Sequence, residues 1–417
     1  MTEPNALPLL VIGAGIAGLT AALEVAEAGA AVVLVERDPW IGGRVLRSHH
    51  YFPKMCPPTC GMEINIKRIE RNPRLRVLTS SRVSAAERTA QGWSVTITSD
   101  PAFVNSRCTA CGECEKTCTT EVADPFNLGL ASVKAIRLPH LNAWPRRYVF
   151  DRQACGDDEA RVIQQACRYG AVDLDAKPTT ETLEVGAVVM ATGWKPYPLD
   201  KLSELGAEHD DVIANVAMER LASPQGPTAG KILRPSNGQP PKRVAFVQCA
   251  GSRDVNHLPY CSGVCCMASL KQALYVHEQL PEATVTMYYI DRRAPGRNED
   301  VLLKVAALDG VRLVKGKVGK IDLVDGALSL RVEDVEAGTL CEDAADLVVL
   351  ATGMMPSVAD EESPVFAAKD DDGFLIDDLQ ARVTVAGVAR RPVDVAASVR
   401  DATGAAARAW AAAGRRA

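Results

Sequence analysis

The chain has 417 residues, 47% of them hydrophobic and 24% charged; this composition excludes disordered and fibrous proteins, and the length predicts two or three domains. Lys and Arg total 47 against 52 Asp and Glu, a net charge of −5, which disfavours a nucleic-acid binder because phosphate contacts need a basic face. No apolar stretch approaches the roughly 20 residues that cross a bilayer, and the N-terminus lacks the basic region and cleavage site of a signal peptide, so we expect a cytoplasmic protein.

The first elements predict a dinucleotide-binding βαβ unit. A short apolar strand ends in the turn GAGIAG at residues 13–18, a helix follows, and the next strand ends in Glu36. In this arrangement the first glycine allows a tight turn, the second lets the backbone approach a pyrophosphate, and the third lets the helix pack on the strand, while the acid accepts hydrogen bonds from a ribose. The dinucleotide contacts predicted in this unit are Gly13, Gly15, Ile16, Ala17, Gly18 and Glu36.

Two further patterns favour FAD as the dinucleotide. The segment RDPWIGGR at residues 37–44 places a Gly-Gly-Arg turn after the ribose acid, as flavoproteins with two dinucleotide domains do. The strand VVMATG at residues 188–193 recurs as VVLATG at 348–353; such paired strand ends resemble the two crossovers between the FAD domain and the inserted domain of thioredoxin-reductase-like enzymes. The FAD contacts that we add are Arg37, Gly43, Arg44, Ala191, Thr192, Gly193, Thr352, Gly353 and, ahead of the C-terminal helix, Asp394.

The Ala-rich tail at residues 396–412 predicts a helix that closes the flavin domain. Simple packing explains it, or its N-terminus also points at the flavin ring, where the helix dipole favours negative charge.

A second βαβ unit is predicted at residues 242–291, where such flavoproteins bind a nicotinamide. Its first turn reads QCAGSRD at residues 248–254 and has no glycine fingerprint, so the phosphate-binding turn is missing. Hydride exchange with NAD(P)H is therefore disfavoured, and cysteines occupy this region instead.

The thirteen cysteines are odd in number and clustered, which disfavours a disulfide framework in a reducing cytosol. Inside the segment 106–178, which interrupts the dinucleotide pattern, CTACGECEKTC at residues 108–118 has the spacing of a bacterial ferredoxin cluster loop. In two-cluster ferredoxins the fourth cysteine of such a run binds the other cluster, and a remote cysteine, here Cys167, completes the first. Applying the same spacing backwards from Cys167 meets Asp, Ala and Ile rather than cysteine, so the second cluster of the pair is lost.

We therefore predict one [4Fe–4S] cluster in this segment, with the ligands Cys108, Cys111, Cys114 and Cys167. A ligand set that uses Cys118 directly is the alternative; otherwise Cys118 and Cys155 are left over. A zinc site is disfavoured because zinc ligands usually come as two separated pairs.

A second [4Fe–4S] cluster is predicted on Cys249, Cys261, Cys265 and Cys266. The first of these ends a strand at the carboxyl edge of the sheet, where α/β domains place their ligands, and the adjacent pair precedes a helix whose N-terminus favours thiolates. The alternative is four buried thiols or a redox disulfide. A disulfide between adjacent cysteines would strain the backbone and leave the other two unexplained.

The stretches VQC at residues 247–249 and PYCSGVCC at 259–266 resemble the signature of heterodisulfide reductase A subunits, in which this motif holds an unusual [4Fe–4S] cluster beside FAD. The resemblance covers nearly the whole chain. It implies a thioredoxin-reductase-like α/β flavoprotein with two Rossmann-type βαβ domains and an inserted ferredoxin-like α+β module. The expected parts are the FAD-binding segments 1–105, 179–238 and 346–417, the inserted module 106–178, and the second Rossmann-like domain 239–345.

The size of the chain and the stretch CPPTCG at residues 56–61 resemble most the A subunits of quinone-interacting membrane-bound oxidoreductases (Qmo). This implies electron transfer between the menaquinone pool and adenylylsulfate (APS) reductase in dissimilatory sulfur metabolism. The alternative is the cytoplasmic heterodisulfide-reductase-like complex of sulfur oxidisers. The implied partners are a second flavoprotein of the same type, a membrane subunit that holds the chain at the inner face of the cytoplasmic membrane, and APS reductase.

Two other classes of function compete with an electron-transfer subunit carrying FAD and two [4Fe–4S] clusters. A stand-alone NAD(P)H-dependent disulfide reductase needs a nicotinamide phosphate turn, and a non-catalytic scaffold has no need of a flavin fingerprint. Cys56 and Cys60 are either extra groups near the flavin or an inert loop pair, and Cys341 is expected to be structural. We assign no role to His49 and His50.

Overall fold

The computed structural model of the chain describes residues 7–359 and 367–414. Its strands, in chain order, are β1 (Leu9–Ile12), β2 (Val32–Val35), β3 (Leu75–Leu78), β4 (Ser81–Arg88), β5 (Trp93–Ser99), β6 (Glu121–Ala123), β7 (Ser132–Lys134), β8 (Ile136–Arg137), β9 (Val149–Phe150), β10 (Thr179–Val185), β11 (Ala187–Met190), β12 (Trp194–Pro196), β13 (Val212–Ala214), β14 (Arg243–Ala250), β15 (Thr284–Tyr289), β16 (Val311–Val324), β17 (Ala327–Asp334), β18 (Thr339–Ala345), β19 (Leu347–Thr352), β20 (Met354–Pro356) and β21 (Val383–Val385). Its α-helices are α1 (Ile16–Glu27), α2 (Pro58–Arg71), α3 (Glu113–Thr117), α4 (Asp157–Ala166), α5 (Asn215–Ala222), α6 (Cys265–Gln279), α7 (Glu299–Ala306) and α8 (Val395–Ala413). None of the helices in these two ranges is both long and apolar enough to span a bilayer.

The first domain is built on a parallel sheet with the strand order β21-β11-β1-β2-β3. Its strands β1 and β2 are apolar throughout because both faces of a parallel sheet are covered. α1 and the Ala-rich α8 pack together on one face, where Ala405 and Ala409 are fully buried. On the other face lies the antiparallel sheet β10-β5-β4, whose Val95 and Ile97 share a core with Val33.

The second domain is a sheet with the order β13-β19-β14-β15-β16-β17-β18, parallel from β13 to β16 and antiparallel beyond. The structure places β13 and β19 in this sheet, whereas the predicted boundaries left them in the FAD-binding segments 179–238 and 346–417. The VVLATG sequence of β19 closely repeats that of β11, which does lie in the first sheet, and β13 has only three residues. The sequence therefore carries no signal that assigns either strand to the second sheet.

The chain crosses between the two domains after each of the repeated Ala-Thr-Gly strand ends. β12 follows β11 and β20 follows β19, and the two pair as an antiparallel ribbon. The crossovers thus lie side by side, as expected from the repeat, and both strand ends open onto the space between the domains.

The segment between β5 and β10 forms a module with a core of its own. It contains the hairpins β6–β7 and β8–β9 together with α3 and α4, and a bridge between Val104 and Val172 joins its two ends. Ala160 and Ile163 on α4 are fully buried in this core. Apolar packing thus occupies two positions at which the ferredoxin spacing would place ligands of a second cluster.

Candidate functional site

A cleft of about 660 Å³ lies between the two domains, at the carboxyl ends of β1, β2 and β11. This volume is within the range of small-molecule and cofactor sites. The N-termini of α1 and α8 open onto the cleft, so unpaired helix N–H groups face it and favour anionic groups there. The predicted FAD contacts that line the cleft are Gly13, Gly15, Ile16, Ala17, Glu36, Arg37, Gly43, Arg44, Ala191, Thr192, Gly193, Thr352 and Asp394.

Two other predicted contacts, Gly18 and Gly353, lie outside the cleft lining and allow close packing instead. A Cβ on Gly18 would stand 1.8 Å from the Gly13 carbonyl oxygen, so this glycine lets α1 pack on β1. A Cβ on Gly353 would stand 2.1 Å from Ser252 Oγ, which puts Gly353 against the loop that carries the second cysteine group. Gly13 has a φ of +99°, and a Cβ there would lie 2.4 Å from the Ala191 carbonyl oxygen. Only glycine fits this turn.

Glu36 stands on the cleft wall directly after β2 and is 8% exposed. Its Oε2 accepts the N–H of Ala14 at 2.7 Å, and its Oε1 accepts that of Asp38 at 2.9 Å. Burial raises the pKa of this carboxyl, while the two backbone donors favour its charged form. The side chain is thus held in place with acceptor capacity left for a ribose hydroxyl.

Arg44 supplies a cation near the glycine turn. Its Nε donates to the Trp194 carbonyl oxygen, and its guanidinium carbon lies 5.2 Å from the centre of the Trp194 ring. Burial and the nearby cations Arg47 and Arg37 lower the pKa of Arg44 to about 10, so it stays charged at neutral pH. A fixed positive charge beside the N-terminus of α1 suits an anionic pyrophosphate.

Sequence reasoning missed a polar network that α5 and α6 contribute to the cleft wall. Lys271 Nζ lies 3.0 Å from Glu219 Oε1, and the two side chains are 7% and 9% exposed. Lys271 also donates to the His50 carbonyl oxygen at 2.6 Å, and Glu219 accepts the backbone N–H of His49 at 3.0 Å and the amide of Gln272 at 2.7 Å. Polar residues inside otherwise buried helices were the only sequence signal for this network.

Five buried polar atoms on the cleft wall have no hydrogen-bond partner among the described residues: Arg47 Nε, Thr192 Oγ1, Asn215 Oδ1, Gln272 Oε1 and Thr352 Oγ1. Buried polar atoms are nearly always paired, so such a group indicates a missing ligand. A flavin ring offers carbonyl oxygens and an N–H to groups of this kind. The cleft therefore fits FAD, with the glycine turn and Glu36 for its dinucleotide part.

The second cysteine group converges at the N-terminus of α6. A β-bulge interrupts β14 at Cys249, which has a φ of +57°, and such a bulge re-aims the side chain at that position. Cys265 and Cys266 begin α6, whose N-terminal dipole favours thiolates. Cys261 lies on the connecting loop, and its Sγ accepts the N–H of Gly263 at 3.3 Å.

The thiols of this group are close enough to influence one another. Burial raises the pKa of the Cys265 thiol, and Cys249, Cys266 and Cys261 raise it further. Four thiolates would repel each other unless a cationic centre lay among them, and the irons of a cluster supply such a centre. Cys265 also lines the dinucleotide cleft, so the cysteine group and the cleft share a wall.

In the inserted module, one small pocket is lined by Cys108, Cys111, Cys114 and Cys167. Burial raises the pKa of the Cys114 thiol to about 12, and Cys108, Cys167 and Cys111 add to the rise. Cys167 caps the C-terminus of α4, and its Sγ accepts the N–H of Ala171 at 3.3 Å. The structure thus brings together the four residues of the predicted ligand set.

Cys118 lies outside this pocket. Its Sγ donates to the Thr120 carbonyl oxygen at 3.4 Å, and both Cys118 and Cys155 are buried. Burial raises the pKa of the Cys155 thiol to about 11, and Glu159 and Cys118 add to the rise, which places Cys118 beside Cys155. The geometry favours Cys167 over Cys118 as the fourth ligand.

Within residues 7–359 and 367–414, no three His, Cys, Asp or Glu side chains lie close enough together to hold a single metal ion. The cysteines of a [4Fe–4S] cluster bind different irons and stand further apart than the ligands of one ion.

The remaining cysteines stand apart from both groups. Cys60 on α2 and Cys341 on β18 are exposed, and Cys56 Sγ donates to the Lys54 carbonyl oxygen at 3.7 Å. The rings of His49 and His50, to which we assigned no role, stack with their centres 3.8 Å apart. Their backbone groups join the polar network on the cleft wall.

The FAD dependent oxidoreductase family model matches residues 8–106. The chain is 34% identical over 416 residues to the A subunit of the H(2):CoB-CoM heterodisulfide,ferredoxin reductase of Methanothermobacter marburgensis. It is 35% identical over 417 residues to one of the iron-sulfur A subunits of the CoB--CoM heterodisulfide reductase of Methanopyrus kandleri. Each match covers 96% of this chain and 63% of the relative, so the chain spans less than two thirds of their length.

The A subunits of heterodisulfide reductases are thus homologues of this chain over nearly its whole length. Among solved structures, the thioredoxin reductase of Lactococcus lactis matches with a TM-score of 0.53 at 14% identity, over 98% of this chain and 99% of that one. This likeness confirms the predicted fold class, a thioredoxin-reductase-like α/β flavoprotein. The family model and the relatives confirm the prediction of an FAD-dependent oxidoreductase.

Proposed function

Because its homologues are the A subunits of heterodisulfide reductases, we propose that this chain is an FAD- and iron–sulfur-containing electron-transfer subunit of a heterodisulfide-reductase-like complex. The observation that carries the proposal is the wall shared by the dinucleotide cleft and the second cysteine group, through Cys265. A cluster held there would lie directly beside the flavin. The relatives support this function better than the quinone-linked one that the sequence suggested.

FAD supplies a centre that exchanges electrons in pairs or singly, and [4Fe–4S] clusters carry single electrons. Glu36 would hold the ribose, the glycine turn and the N-terminus of α1 would hold the pyrophosphate, and the polar atoms of Thr192 and Thr352 would orient the ring. The second cysteine group would hold one cluster at the cleft, and the group with Cys167 would hold another in the inserted module.

The buried ion pair of Lys271 and Glu219 on the cleft wall would also act on a flavin bound in the cleft. Lys271 is buried, and Glu219 lies 3.0 Å away as its counter-ion. A fixed cation in a site of low dielectric favours negative charge in the space it faces. Lys271 would therefore offer a positive charge to an anionic group bound in the cleft, while Glu219, which lines the same cleft, holds the Lys271 side chain in place.

A stand-alone NAD(P)H-dependent disulfide reductase is the competing function. At the strand end where a nicotinamide domain carries its glycine turn, this chain has the bulge at Cys249. A thiol thus occupies the position at which the glycine turn would bind the phosphate of a nicotinamide dinucleotide. This arrangement favours electron transfer through a cluster over hydride transfer.

Anaerobic purification followed by iron analysis, optical spectroscopy and EPR tests the proposal. We expect FAD and about eight irons per chain, four from each cluster, with no reduction of the flavin by NADH. Cys249→Ser should remove about four irons, whereas Cys341→Ser, a change at an exposed thiol outside both groups, should remove none. A protein that carries FAD without iron and is reduced by NADH would overturn the proposal.

The substrates and partners of the complex are part of the proposal, since the chain spans 63% of each relative's length. One relative's name gives a heterodisulfide and ferredoxin, and we propose a ferredoxin-type partner here. The Qmo-type function, with menaquinone, APS reductase and a membrane subunit, is kept as the second candidate because of the Cys56–Cys60 pair at α2. Identifying the proteins that co-purify with the native chain separates the two candidates.

A further inference from the structure

The second cysteine group has an arginine on its own loop. Arg253 follows Cys249 by four residues and has a φ of +57°. Its backbone N–H donates to the carbonyl oxygen of Tyr260 at 3.1 Å, and Tyr260 directly precedes Cys261. Since a positive φ is costly for a residue other than glycine, such contacts are needed to hold it. The backbone of Arg253 is thus fixed close to two of the four cysteines.

An ion pair holds the side chain of Arg253 at this group. Its Nη1 lies 2.7 Å from Asp291 Oδ2, and Asp291 comes two residues after the end of β15, which pairs in parallel with β14. The carbonyl oxygen of Asp291 accepts a hydrogen bond from Cys266 Sγ at 3.5 Å. The arginine side chain is 26% exposed and the aspartate side chain 53%. The positive member of the pair therefore lies in the less solvated position.

The guanidinium of Arg253 also contacts the Cys249 thiol. Burial and Cys266 raise the pKa of this thiol, whereas Arg253 opposes the rise through its positive charge and a hydrogen bond to the sulfur. A part-buried cation is therefore in direct contact with one of the predicted ligands of the second cluster.

Two other charged residues lie close to the group. Asp254 Oδ1 accepts the backbone N–H of Asn256 at 3.0 Å, and its Oδ2 lies 3.5 Å from Lys317 Nζ, so a cation of its own offsets this carboxylate. Arg293 donates its backbone N–H to Cys266, but the residue is exposed, and solvent screens the charge of an exposed side chain. The guanidinium at the Cys249 sulfur is therefore the charge that we expect to act most strongly on the group.

We propose that Arg253 and Asp291 set the reduction potential of the cluster held by the second cysteine group, with Arg253 raising the potential and Asp291 moderating that rise. The inference rests on the proposed function, because it assumes a cluster at this group. Reduction adds one electron to a centre that four thiolates already make negative. A nearby cation and a hydrogen bond to a ligand sulfur stabilise the reduced form more than the oxidised form, so both raise the potential. A higher potential makes the cluster a better acceptor of electrons from a flavin in the adjoining cleft.

An anaerobic redox titration of the holoprotein, with dithionite as the electron donor and EPR as the readout, tests the proposal. The signal that disappears in Cys249→Ser identifies the second cluster. Arg253→Gln should shift the midpoint potential of this signal to a lower value, and Arg253→Lys, which keeps the charge, should recover part of the shift. Asp291→Asn should shift the potential to a higher value, and by less, because this carboxylate is the more exposed member of the pair.

Two controls separate an electrostatic effect from a change in the loop. Arg243→Gln breaks a comparable ion pair, with Asp346 at 2.8 Å, at the opposite end of β14, and it should leave the potential of the second cluster unchanged. The cluster of the inserted module, titrated in the same samples, should keep its potential in every variant. Iron content is measured in parallel.

Shifts of opposite sign in Arg253→Gln and Asp291→Asn support the proposal. Shifts of the same sign, or no shift in either variant, overturn it, because a loosened loop does not respond to the sign of the charge that is removed. If Arg253→Gln does not retain iron, a raised potential in Asp291→Asn supports the proposal and an unchanged one overturns it. A wild-type protein whose iron content is unaffected by Cys249→Ser would instead contradict the proposed cluster.

Discussion

Arg220 Nε donates a hydrogen bond to Asn127 Oδ1 at 2.8 Å, and this contact joins the second domain to the inserted module. The same guanidinium donates to the carbonyl oxygens of Arg47, in the FAD-binding domain, at 2.9 Å and of Gln225 at 3.1 Å. Its carbon lies 4.9 Å from the centre of the Phe126 ring, and only 1% of the residue is exposed. One buried cation thus holds three parts of the molecule in fixed relation.

We expect Arg220→Met to destabilise the protein, because a side chain of similar length replaces the donor and leaves the buried Asn127 Oδ1 and the part-buried Arg47 carbonyl oxygen without it. The Gln225 carbonyl oxygen keeps Asn127 Nδ2 as a donor at 3.5 Å. Each unpaired acceptor costs about 1–3 kcal/mol, so the free energy of unfolding should fall by about 2 kcal/mol or more. Arg220→Lys keeps the charge but reaches fewer acceptors. Its free energy of unfolding should therefore lie between those of the wild type and of Arg220→Met. Urea denaturation measures the free energy of unfolding of each variant. In Arg220→Met, hydrogen exchange should also show faster opening of residues 124–140 than in the wild type. Unchanged exchange in that segment would mean that Arg220 does not hold the module.

The parts of the candidate site that form contiguous motifs could be predicted from the sequence. The glycine turn, Glu36 and both cysteine groups depend on spacings of a few residues, or on a remote cysteine with a recognisable context, and the structure brings each set together. Arg220 was not readable, because its contacts with Arg47 and Asn127 span 173 and 93 residues. No local pattern marks a side chain whose partners are set by the packing of three separate units.

The same reason explains why the predicted boundaries did not assign β13 and β19 to the second sheet. β19 and β11 have nearly the same sequence because both are buried parallel strands that end in a crossover. An apolar strand sequence shows that the strand is buried but not which sheet it joins. The contribution of Glu219 and Lys271 to the cleft was likewise invisible, since it depends on how α5 and α6 pack against the loop that contains His49.

Glu36→Ala should weaken FAD retention. The carboxylate is fixed by the N–H groups of Ala14 and Asp38, and a hydrogen bond to a charged group contributes about 1.5–3 kcal/mol. That loss corresponds to a roughly ten- to hundredfold higher dissociation constant, measurable by titrating deflavinated protein with FAD. Glu87→Ala, at an exposed position of β4, is the control. Equal FAD affinity in the two variants would remove Glu36 from the ribose site.

Acidification should destabilise the protein partly through His140. This residue is 9% exposed, its Nε2 has no partner among the described residues, and its ring stacks on Phe126. Burial, with Arg220 and Arg47, lowers its pKa from 6.5 to about 4. Above pH 6.5 the folded and unfolded chains both carry the neutral ring, so His140 contributes nothing to the pH dependence. Below pH 6.5 only the unfolded chain takes up the proton, and stability falls by about 1.4 kcal/mol per pH unit until about pH 4.

His140→Phe should remove that part of the pH dependence. Urea unfolding of both proteins from pH 7 down to the onset of acid unfolding measures it. His49 also has a pKa lowered to about 4, through burial and His50, and it contributes to the pH dependence of both proteins. The difference between the two stability curves therefore isolates the contribution of His140. Parallel curves would show that His140 takes up a proton equally well in the folded and unfolded chains.

Cys167→Ser and Cys155→Ser should differ in iron content. Cys167 lines the pocket with the three cysteines of the loop, whereas Cys155 is buried beside Cys118 outside it. We expect the first variant to lose about four irons and the EPR signal of one cluster, and the second to keep both. If Cys155→Ser loses iron and Cys167→Ser does not, Cys118 and Cys155 belong to the ligand set. The ligand assignment made from the ferredoxin spacing would then be wrong.

Lys271→Met should destabilise the protein more than the removal of both charges of its ion pair. The single change leaves Glu219, 9% exposed, as a buried carboxylate with the neutral donors of His49, Gln272 and Tyr275 but no counter-ion. Breaking a buried pair in this way costs about 3–5 kcal/mol, whereas replacing both partners by neutral groups costs much less. The double variant Lys271→Met/Glu219→Gln should therefore recover most of the loss in urea unfolding of the deflavinated protein. It should still bind FAD more weakly than the wild type, because the cation on the cleft wall is absent from both variants. If the double variant is no more stable than Lys271→Met, the two side chains do not act as a pair.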